Sequence, residues 1–248
     1  MRKFFVKNEN IQEDKIEILG SDVNHIKNVL RLKVEDEIQI CNQETHENYI
    51  CQISKIENTR VETKILQEIE GNVESNIELH IFQGLPKADK MELIIQKGTE
   101  LGVSEFIPVA FKRSIVKLSG KDEMKKIERW QKISEVAAKQ SKRDLVPKVK
   151  NIISVKNICH LVQEYDIMLL AYENETENTI KNELLQLKNT KESLKVAVII
   201  GPEGGIEQEE VLELKNAGAK VISLGKRILR TETVALQVSS IIMYELET

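Results

Sequence analysis

The stretch Val196-Ala-Val-Ile-Ile-Gly-Pro-Glu-Gly-Gly-Ile206 decides the fold of the larger part of this chain. Its first five residues are a continuous apolar run of strand length, which is typical of a strand that is covered on both faces of a parallel sheet. The three glycines of Gly201–Gly205 predict a tight turn, and a helix is predicted to follow from Glu207. Because ligands of open α/β sheets bind just beyond the carboxyl ends of strands, this turn is a candidate binding site.

Strands and helices alternate around this stretch. Apolar runs and 3.6-residue periodicity predict strands at 77–83, 105–111, 166–172, 196–200 and 221–224, and helices at 87–101, 122–143 and 231–246. Such alternation is typical of an α/β domain with a mostly parallel sheet.

The beginning of the chain has a different pattern. Short segments with β-branched or alternating apolar residues predict strands at 3–6, 15–19, 37–41, 48–56 and 60–67, with one helical turn at 25–30. Regularly spaced short strands indicate a small β-barrel. The polar residues 70–76 are the predicted linker, so we expect a first domain at 1–72 and a second domain at 73–248.

The composition is that of a globular protein, with 41% hydrophobic and 31% charged residues among 248. The apolar runs are much shorter than the roughly 20 residues that span a bilayer, and the N-terminus lacks the apolar region of a signal peptide. We therefore expect a cytoplasmic protein with no membrane segment. The three cysteines and four histidines have no metal-ligand spacing, so we also expect no metal.

The charge of the chain is unevenly distributed. The net charge is −4, yet residues 112–150 contain thirteen Lys or Arg against five Asp or Glu. A solvated helix face is the simplest interpretation of this excess. It also permits contact with the phosphate backbone of a nucleic acid.

The glycine-rich turn does not resemble a phosphate-binding loop. Its spacing fits neither G-x-G-x-x-G nor G-x-x-x-x-G-K-[ST], and the following Glu207-Gln-Glu-Glu210 would repel a phosphate at the helix start. A ligand without phosphate, held by backbone groups, fits better. An ordinary tight turn remains the alternative.

A second strand–turn–helix element runs from Leu224 to Thr233. Thr231 has the properties of a helix N-cap, and Glu232 suits the first turn of a helix. Arg227 and Arg230 do not, because the positive end of a helix disfavours cations. Charges that their local structure disfavours often mark a functional site. Arg230 is therefore a better functional candidate than Glu232.

The pairing of Gly201–Gly205 with 224–233 resembles the SPOUT methyltransferases, specifically the RsmE group. Similar segments run almost end to end, and two positions depart from the family pattern: Lys139 stands where Glu is expected, and Val234 where a small residue is common. The first departure puts an acid role at that position in doubt. The other segments that carry the resemblance are Arg2, Phe4-Phe5, His25-x-x-x-Val-Leu-Arg31, Lys90–Gly102, Arg113-Ser114, Trp130 and Ala138–Pro147.

The resemblance implies a fold, a cofactor and partners. We expect an N-terminal PUA-like β-barrel that binds RNA, followed by a knotted α/β domain in which the last helix passes through a loop. S-adenosylmethionine would bind through the backbone of three loops, and the chain would form a homodimer. The substrate would be N3 of a uridine in 16S ribosomal RNA or in the small ribosomal subunit.

The resemblance also implies site residues. Arg230 is the expected catalytic residue, through stabilisation of the uracil anion, and Glu232 is a weaker candidate as proton acceptor. RNA contacts are expected at Arg2, His25, Arg31, Arg113, Gln140 and Arg143, although the residue types of His25 and Trp130 favour a place in a core. Cofactor contacts are expected at Leu170, Ala171, Tyr172, Ile200, Gly201, Pro202, Glu203, Gly204, Leu224, Gly225, Ile228, Leu229, Arg230, Thr231 and Thr233.

Three other functions remain open on the sequence. One is a ribose 2′-O-methyltransferase of the same superfamily, and another is an RNA-binding or ribosome-assembly factor without catalysis. A phosphate-dependent α/β enzyme is disfavoured by the acidic helix start and by the missing lysine of a phosphate-binding loop.

Overall fold

The protein is described by a computed structural model that covers residues 1–71, 73–116, 118, 120–188 and 190–247. Residues 72 and 248, the last residues of the two predicted domains, lie outside this range. The chain divides into two compact units, 1–74 with 138–146, and 75–137 with 147–248. The assignment of 138–146 to the first unit was not predicted, and the boundary at residue 72 stays a prediction.

The first unit is built on a curled, mostly antiparallel sheet, a half-barrel of five strands. The strand order is β1-β3-β4-β5-β2, and the β1–β3 pair is parallel. Apolar residues of all five strands and of α1 fill one core. The elements of this unit are β1 (Lys3–Val6), β2 (Lys15–Leu19), α1 (Ser21–Asn24), β3 (Glu37–Asn42), β4 (Asn48–Ile56) and β5 (Arg60–Ile69).

Residues 138–146 are fixed to the first unit by buried polar contacts. Asp144 pairs with the Lys3 ammonium and accepts a hydrogen bond from Asn48 Nδ2 at 2.7 Å. Arg143 donates to the Glu74 carboxylate, which also accepts from the backbone N–H of Asp144 at 2.8 Å. These bonds compensate charges that would be costly to bury alone.

The second unit contains a parallel sheet of strand order β12-β10-β11-β6-β7-β8, with β9 paired to β7. The described pairings in this sheet are all parallel, which confirms the predicted α/β class. The elements are β6 (Ile77–Gly84), α2 (Lys90–Glu100), β7 (Glu105–Ala110), α3 (Lys121–Ser141), β8 (Lys148–Val149), β9 (Ile153–Ser154), α4 (Val155–Leu161), β10 (Ile167–Ala171), α5 (Ile180–Leu187), β11 (Leu194–Ile200), α6 (Gln208–Ala217), β12 (Lys220–Ile222) and α7 (Thr231–Leu246). The last residues of α3, from 138, belong to the first unit.

Strand β11 is covered on both faces, as its sequence predicts. Val196, Val198 and Ile200 belong to one core cluster, which includes residues of α2, α5 and α7. The alternate residues Ala197 and Ile199 belong to a second cluster with residues of α4 and α6. A strand in this position has no polar face, so its hydrophobic run is continuous.

Two core predictions have different outcomes. Trp130 is 4% exposed and packs in the core of the second unit, which confirms its expected place. The preference of His25 for a core is wrong, because its side chain is exposed, with its ring in a T-shaped arrangement to that of Phe4. Within the described residues, no helix combines the length and the apolarity that a membrane span requires.

Candidate active site

A cavity of about 510 Å³ lies at the carboxyl edge of the parallel sheet. The three neighbouring strands β12, β10 and β11 end there, because parallel strands bring the same ends together. Its walls are the segments that follow these strands, with one residue from α2 and two from α7. The lining residues are Lys90, 171–173, 200–206, 223–231 and Val234.

The structure brings together most of the residues predicted to bind the cofactor. Leu170 is not on the wall, because its side chain is fully buried in the core, and Thr233 is exposed on α7 without lining the cavity. Those that do line it are Ala171, Tyr172, Ile200, Gly201, Pro202, Glu203, Gly204, Leu224, Gly225, Ile228, Leu229, Arg230 and Thr231.

The glycines of the turn are required by contacts within the protein. A Cβ on Gly201 would lie 2.8 Å from Cγ1 of Ile206, and one on Gly204 would lie 2.9 Å from the carbonyl oxygen of Arg113. Gly205 has a φ of +73°, in the left-handed region. These glycines therefore shape the wall of the cavity, in the tight turn that the sequence predicts.

A buried hydrogen-bond chain joins the two segments that form the main walls. The Thr231 hydroxyl donates to the Gly201 carbonyl at 2.7 Å and accepts from Gln83 Nε2 at 2.8 Å. The N-cap of α7 is Arg230, so the prediction of Thr231 as N-cap is wrong. Thr231 instead fixes the start of α7 to the glycine-rich turn.

The acidic residues after the turn face away from the cavity. Glu207 pairs with Arg113 at 2.8 Å and forms a capping box with Glu210, and Glu209 pairs with Lys112. The hydrogen bond from Arg113 lowers the pKa of Glu207. The carboxylates on the wall are Glu173 and Glu203, so the acidic start of α6, from which repulsion of a phosphate was predicted, does not itself line the cavity.

Lys90 was not predicted as a site residue, yet its ammonium joins two carboxylates at the cavity. Its Nζ lies 2.9 Å from Glu203 Oε1 and 3.2 Å from Glu232 Oε2. Burial alone would raise the pKa of Glu203, but the hydrogen bond from Lys90 and one from the Lys87 backbone hold it below its ordinary value. Glu203 is therefore ionised at neutral pH.

The two predicted catalytic residues occupy different environments. Arg230 is exposed and lines the cavity, as do Lys226 and Arg227; in the described part of the chain none of these three cations pairs with a carboxylate. Glu232 is not on the wall and pairs with Lys90. The wall therefore presents unpaired positive charge near the start of α7.

The six predicted RNA contacts are divided between the two units. Arg2, His25, Arg31 and Gln140 are exposed in the first unit, and Arg31 has a φ of +54°, which is strained for a residue other than glycine. Arg113 is exposed in the second unit, paired with Glu207. Arg143 is 6% exposed and bound to Glu74, so we replace its predicted RNA contact by a structural role.

Replacing Gly204 by alanine is expected to destabilise the second unit by about 1–3 kcal/mol, because the new Cβ would overlap a backbone oxygen that has little freedom to move. Gly225→Ala is the comparison: its Cβ would meet no atom within 4 Å, so only its φ of +111° is disfavoured. Thermal unfolding of both variants checks this. A Gly204→Ala protein as stable as the unaltered protein would contradict the contact.

Comparison with known families gives the class of protein. Residues 73–243 match the family of RNA methyltransferase domains, and residues 18–66 match the RNA methyltransferase PUA domain. The chain is 37% identical to ribosomal RNA small subunit methyltransferase E of Bacillus subtilis, over 100% of this chain and 98% of the relative. The enzyme of the same name from Mesomycoplasma hyopneumoniae is 32% identical, over 95% and 96%.

Solved structures agree with this class. A ribosomal RNA small subunit methyltransferase E from Neisseria gonorrhoeae, bound to S-adenosyl methionine, has a TM-score of 0.87 at 28% identity, over 99% of this chain and 98% of that chain. A putative methyltransferase from Legionella pneumophila, in complex with the same cofactor, has a TM-score of 0.86 at 26% identity, with the same coverage. This chain belongs to the ribosomal RNA small subunit methyltransferase E family.

Proposed function

We propose that this protein transfers a methyl group from S-adenosylmethionine to N3 of a uridine in 16S ribosomal RNA. The observation that carries the proposal is the cavity at the carboxyl edge of the sheet, between the glycine-rich turn and the start of α7. The family supports the cofactor and the ribosomal RNA substrate. The choice of uridine N3 follows the resemblance to the RsmE group.

The residues present fit the cofactor. A cavity of about 510 Å³ is within the range of roughly 300–1,000 Å³ for small-molecule sites. Backbone groups of the turn and ionised Glu203 suit a cationic ligand that lacks phosphate. When bound, S-adenosylmethionine supplies a methyl group from its sulfonium. The residues that would hold it are the wall residues 171–172, 200–204, 224–225 and 228–231.

The chain's own contribution is to make uracil N3 nucleophilic. N3 is a weak acid, about as weak as a tyrosine phenol with a pKa of ~10. Lowering its pKa by two units requires about 2.7 kcal/mol of stabilisation of the anion. The guanidinium of Arg230 lies on the cavity wall and pairs with no carboxylate of the described residues, so it is suited to stabilise the charge that develops on a uracil oxygen. The N3 proton must pass to an acceptor; Glu232 is a weaker candidate for this role, because it pairs with Lys90 and does not line the cavity.

The first unit is proposed to bind the RNA. Its match to the PUA domain and the exposed Arg2, His25 and Arg31 support this role. The strained backbone of Arg31 is also of the kind found at binding sites. Contacts of this type are electrostatic, so RNA binding should weaken with salt.

Two further features follow from the resemblance and are proposed with the function. The last helix passes through a loop to form a trefoil knot, and the chain forms a homodimer. Because its proposed substrate is ribosomal RNA, the protein is proposed to act in the cytoplasm.

Mass analysis of ribosomal RNA nucleosides tests the proposed function. We expect 16S ribosomal RNA from cells without the gene to lack one 3-methyluridine, and the gene supplied on a plasmid to restore it. Loss of a 2′-O-methylated nucleoside instead would favour the ribose methyltransferase. Unchanged nucleosides would contradict both enzymes.

A further inference from the structure

Lys90, Glu203 and Glu232 form a group that we call the triad. It has more negative than positive charges. One ammonium is shared by two carboxylates, at 2.9 and 3.2 Å, so the triad carries one net negative charge when all three groups are ionised. The side chains are 27%, 24% and 14% exposed, so bulk water screens this charge only in part. The triad therefore contributes a fixed negative charge at the cavity.

Other acidic groups near the turn do not have this effect. Glu207 and Glu209 are outside the wall and each has its own cation, Arg113 or Lys112. Glu203 lies on the wall, and so does Glu173, which is exposed to solvent. The partly buried negative charge at the cavity thus comes from the triad.

The proposed reaction places two ligands in the cavity, the methyl donor and its demethylated product, and their charges differ only at sulfur. The charge of the triad acts on this difference. The methyl donor has a sulfonium, which carries a positive charge. After transfer, the electrons of the broken carbon–sulfur bond remain on sulfur, and the product is a neutral thioether that is otherwise the same molecule. The wall also carries the cations Lys226, Arg227 and Arg230, but the contribution of the triad's negative charge stabilises the first ligand relative to the second.

We propose that the Lys90–Glu203–Glu232 triad makes the cavity prefer the sulfonium methyl donor over its demethylated product. The inference rests on the proposed function and adds to it the residues that set this preference. One unit charge in a partly buried site changes a binding constant by about tenfold. The triad thus favours exchange of product for a new donor molecule after each turnover.

Titration calorimetry with S-adenosylmethionine and S-adenosylhomocysteine tests the inference without measuring activity. Glu203→Gln makes the triad neutral, so the ratio of the product Kd to the donor Kd should fall by about tenfold. Lys90→Met leaves two uncompensated carboxylates, so the same ratio should rise. A merely looser turn would weaken both ligands together and leave the ratio unchanged.

Glu209→Gln is the control, because it removes a carboxylate that is near the turn but off the wall, and its ratio should equal that of the unaltered protein. Circular dichroism establishes that each variant is folded, and the two triad variants test the inference independently. If both ligands bind and neither triad variant changes the ratio, the inference is wrong while the proposed function stands. If neither ligand binds the unaltered protein, the proposed function fails and the inference with it.

Discussion

Replacing Arg230 by alanine is expected to reduce methyl transfer by about 100-fold, the effect that removal of one charge-stabilising donor has in other enzymes. Arg230 is the N-cap of α7, exposed and on the cavity wall. The positive end of the helix adds to its field instead of compensating it. Binding of the cofactor should change little, because the resemblance implies that backbone groups hold it.

The pH dependence distinguishes this role from a structural one. Without the guanidinium, uracil N3 keeps a higher pKa, so the pH of half-maximal single-turnover rate should rise by about two units. Lower stability of the protein would reduce the rate without moving this midpoint. Calorimetry with the cofactor verifies that the site is intact.

Arg227→Ala is the matched control for Arg230. Both are exposed arginines of the same segment, both line the cavity, and neither pairs with a carboxylate among the described residues. Arg227 precedes the helix by several residues, so its loss should affect RNA binding more than the pH midpoint. Near-normal turnover of Arg230→Ala, or equal midpoint shifts in the two variants, would contradict the proposed role.

Local patterns predicted the elements that position this site. The apolar run that became β11 and the closing helix α7 depend on residues that are adjacent in sequence, so both were found. Helices α4 and α5 were missed, because they have only 7 and 8 residues. Their caps offered a signal: Ser154 with Asn157 forms a capping box, and the Thr179 side chain caps α5.

The partners of charged residues could not be predicted from sequence. Lys90 is more than one hundred residues from Glu203 and Glu232, so only the fold brings the three together. The same applies to Arg143, which the family resemblance made an RNA candidate and which the fold buries against Glu74. A local charge pattern therefore indicates where cations are, but not which of them remain free to bind a ligand.

The buried pair of Lys3 and Asp144 should have the largest effect on stability. Their side chains are 1% and 6% exposed, and the pair connects β1 to residues 138–146 within the first unit. Lys3→Met would leave the Asp144 carboxylate buried with no cation. We expect a loss of about 3–5 kcal/mol in the free energy of unfolding of this unit.

The measurement must resolve the two units, because a chain of two compact units need not unfold in one step. Native-state hydrogen exchange at the amides of β1, β3 and β4 reports the first unit, and the fluorescence of Trp130, the chain's single tryptophan, reports the second. The protection of the three strands should fall sharply, while the transition reported by Trp130 should move less.

Two comparison variants show whether the uncompensated charge causes the loss. Lys7→Met removes a nearby lysine whose pair with Glu9 is 66% and 72% exposed, and it should have almost no effect. Lys3→Met combined with Asp144→Leu removes both charges, and because the Asn48 amide still donates to the His46 carbonyl at 3.0 Å, part of the lost stability should return. If Lys3→Met is no more harmful than Lys7→Met, the pair does not hold residues 138–146. If the double variant is less stable than Lys3→Met, the remaining Asp144 contacts, and not its uncompensated charge, determine the stability of this unit.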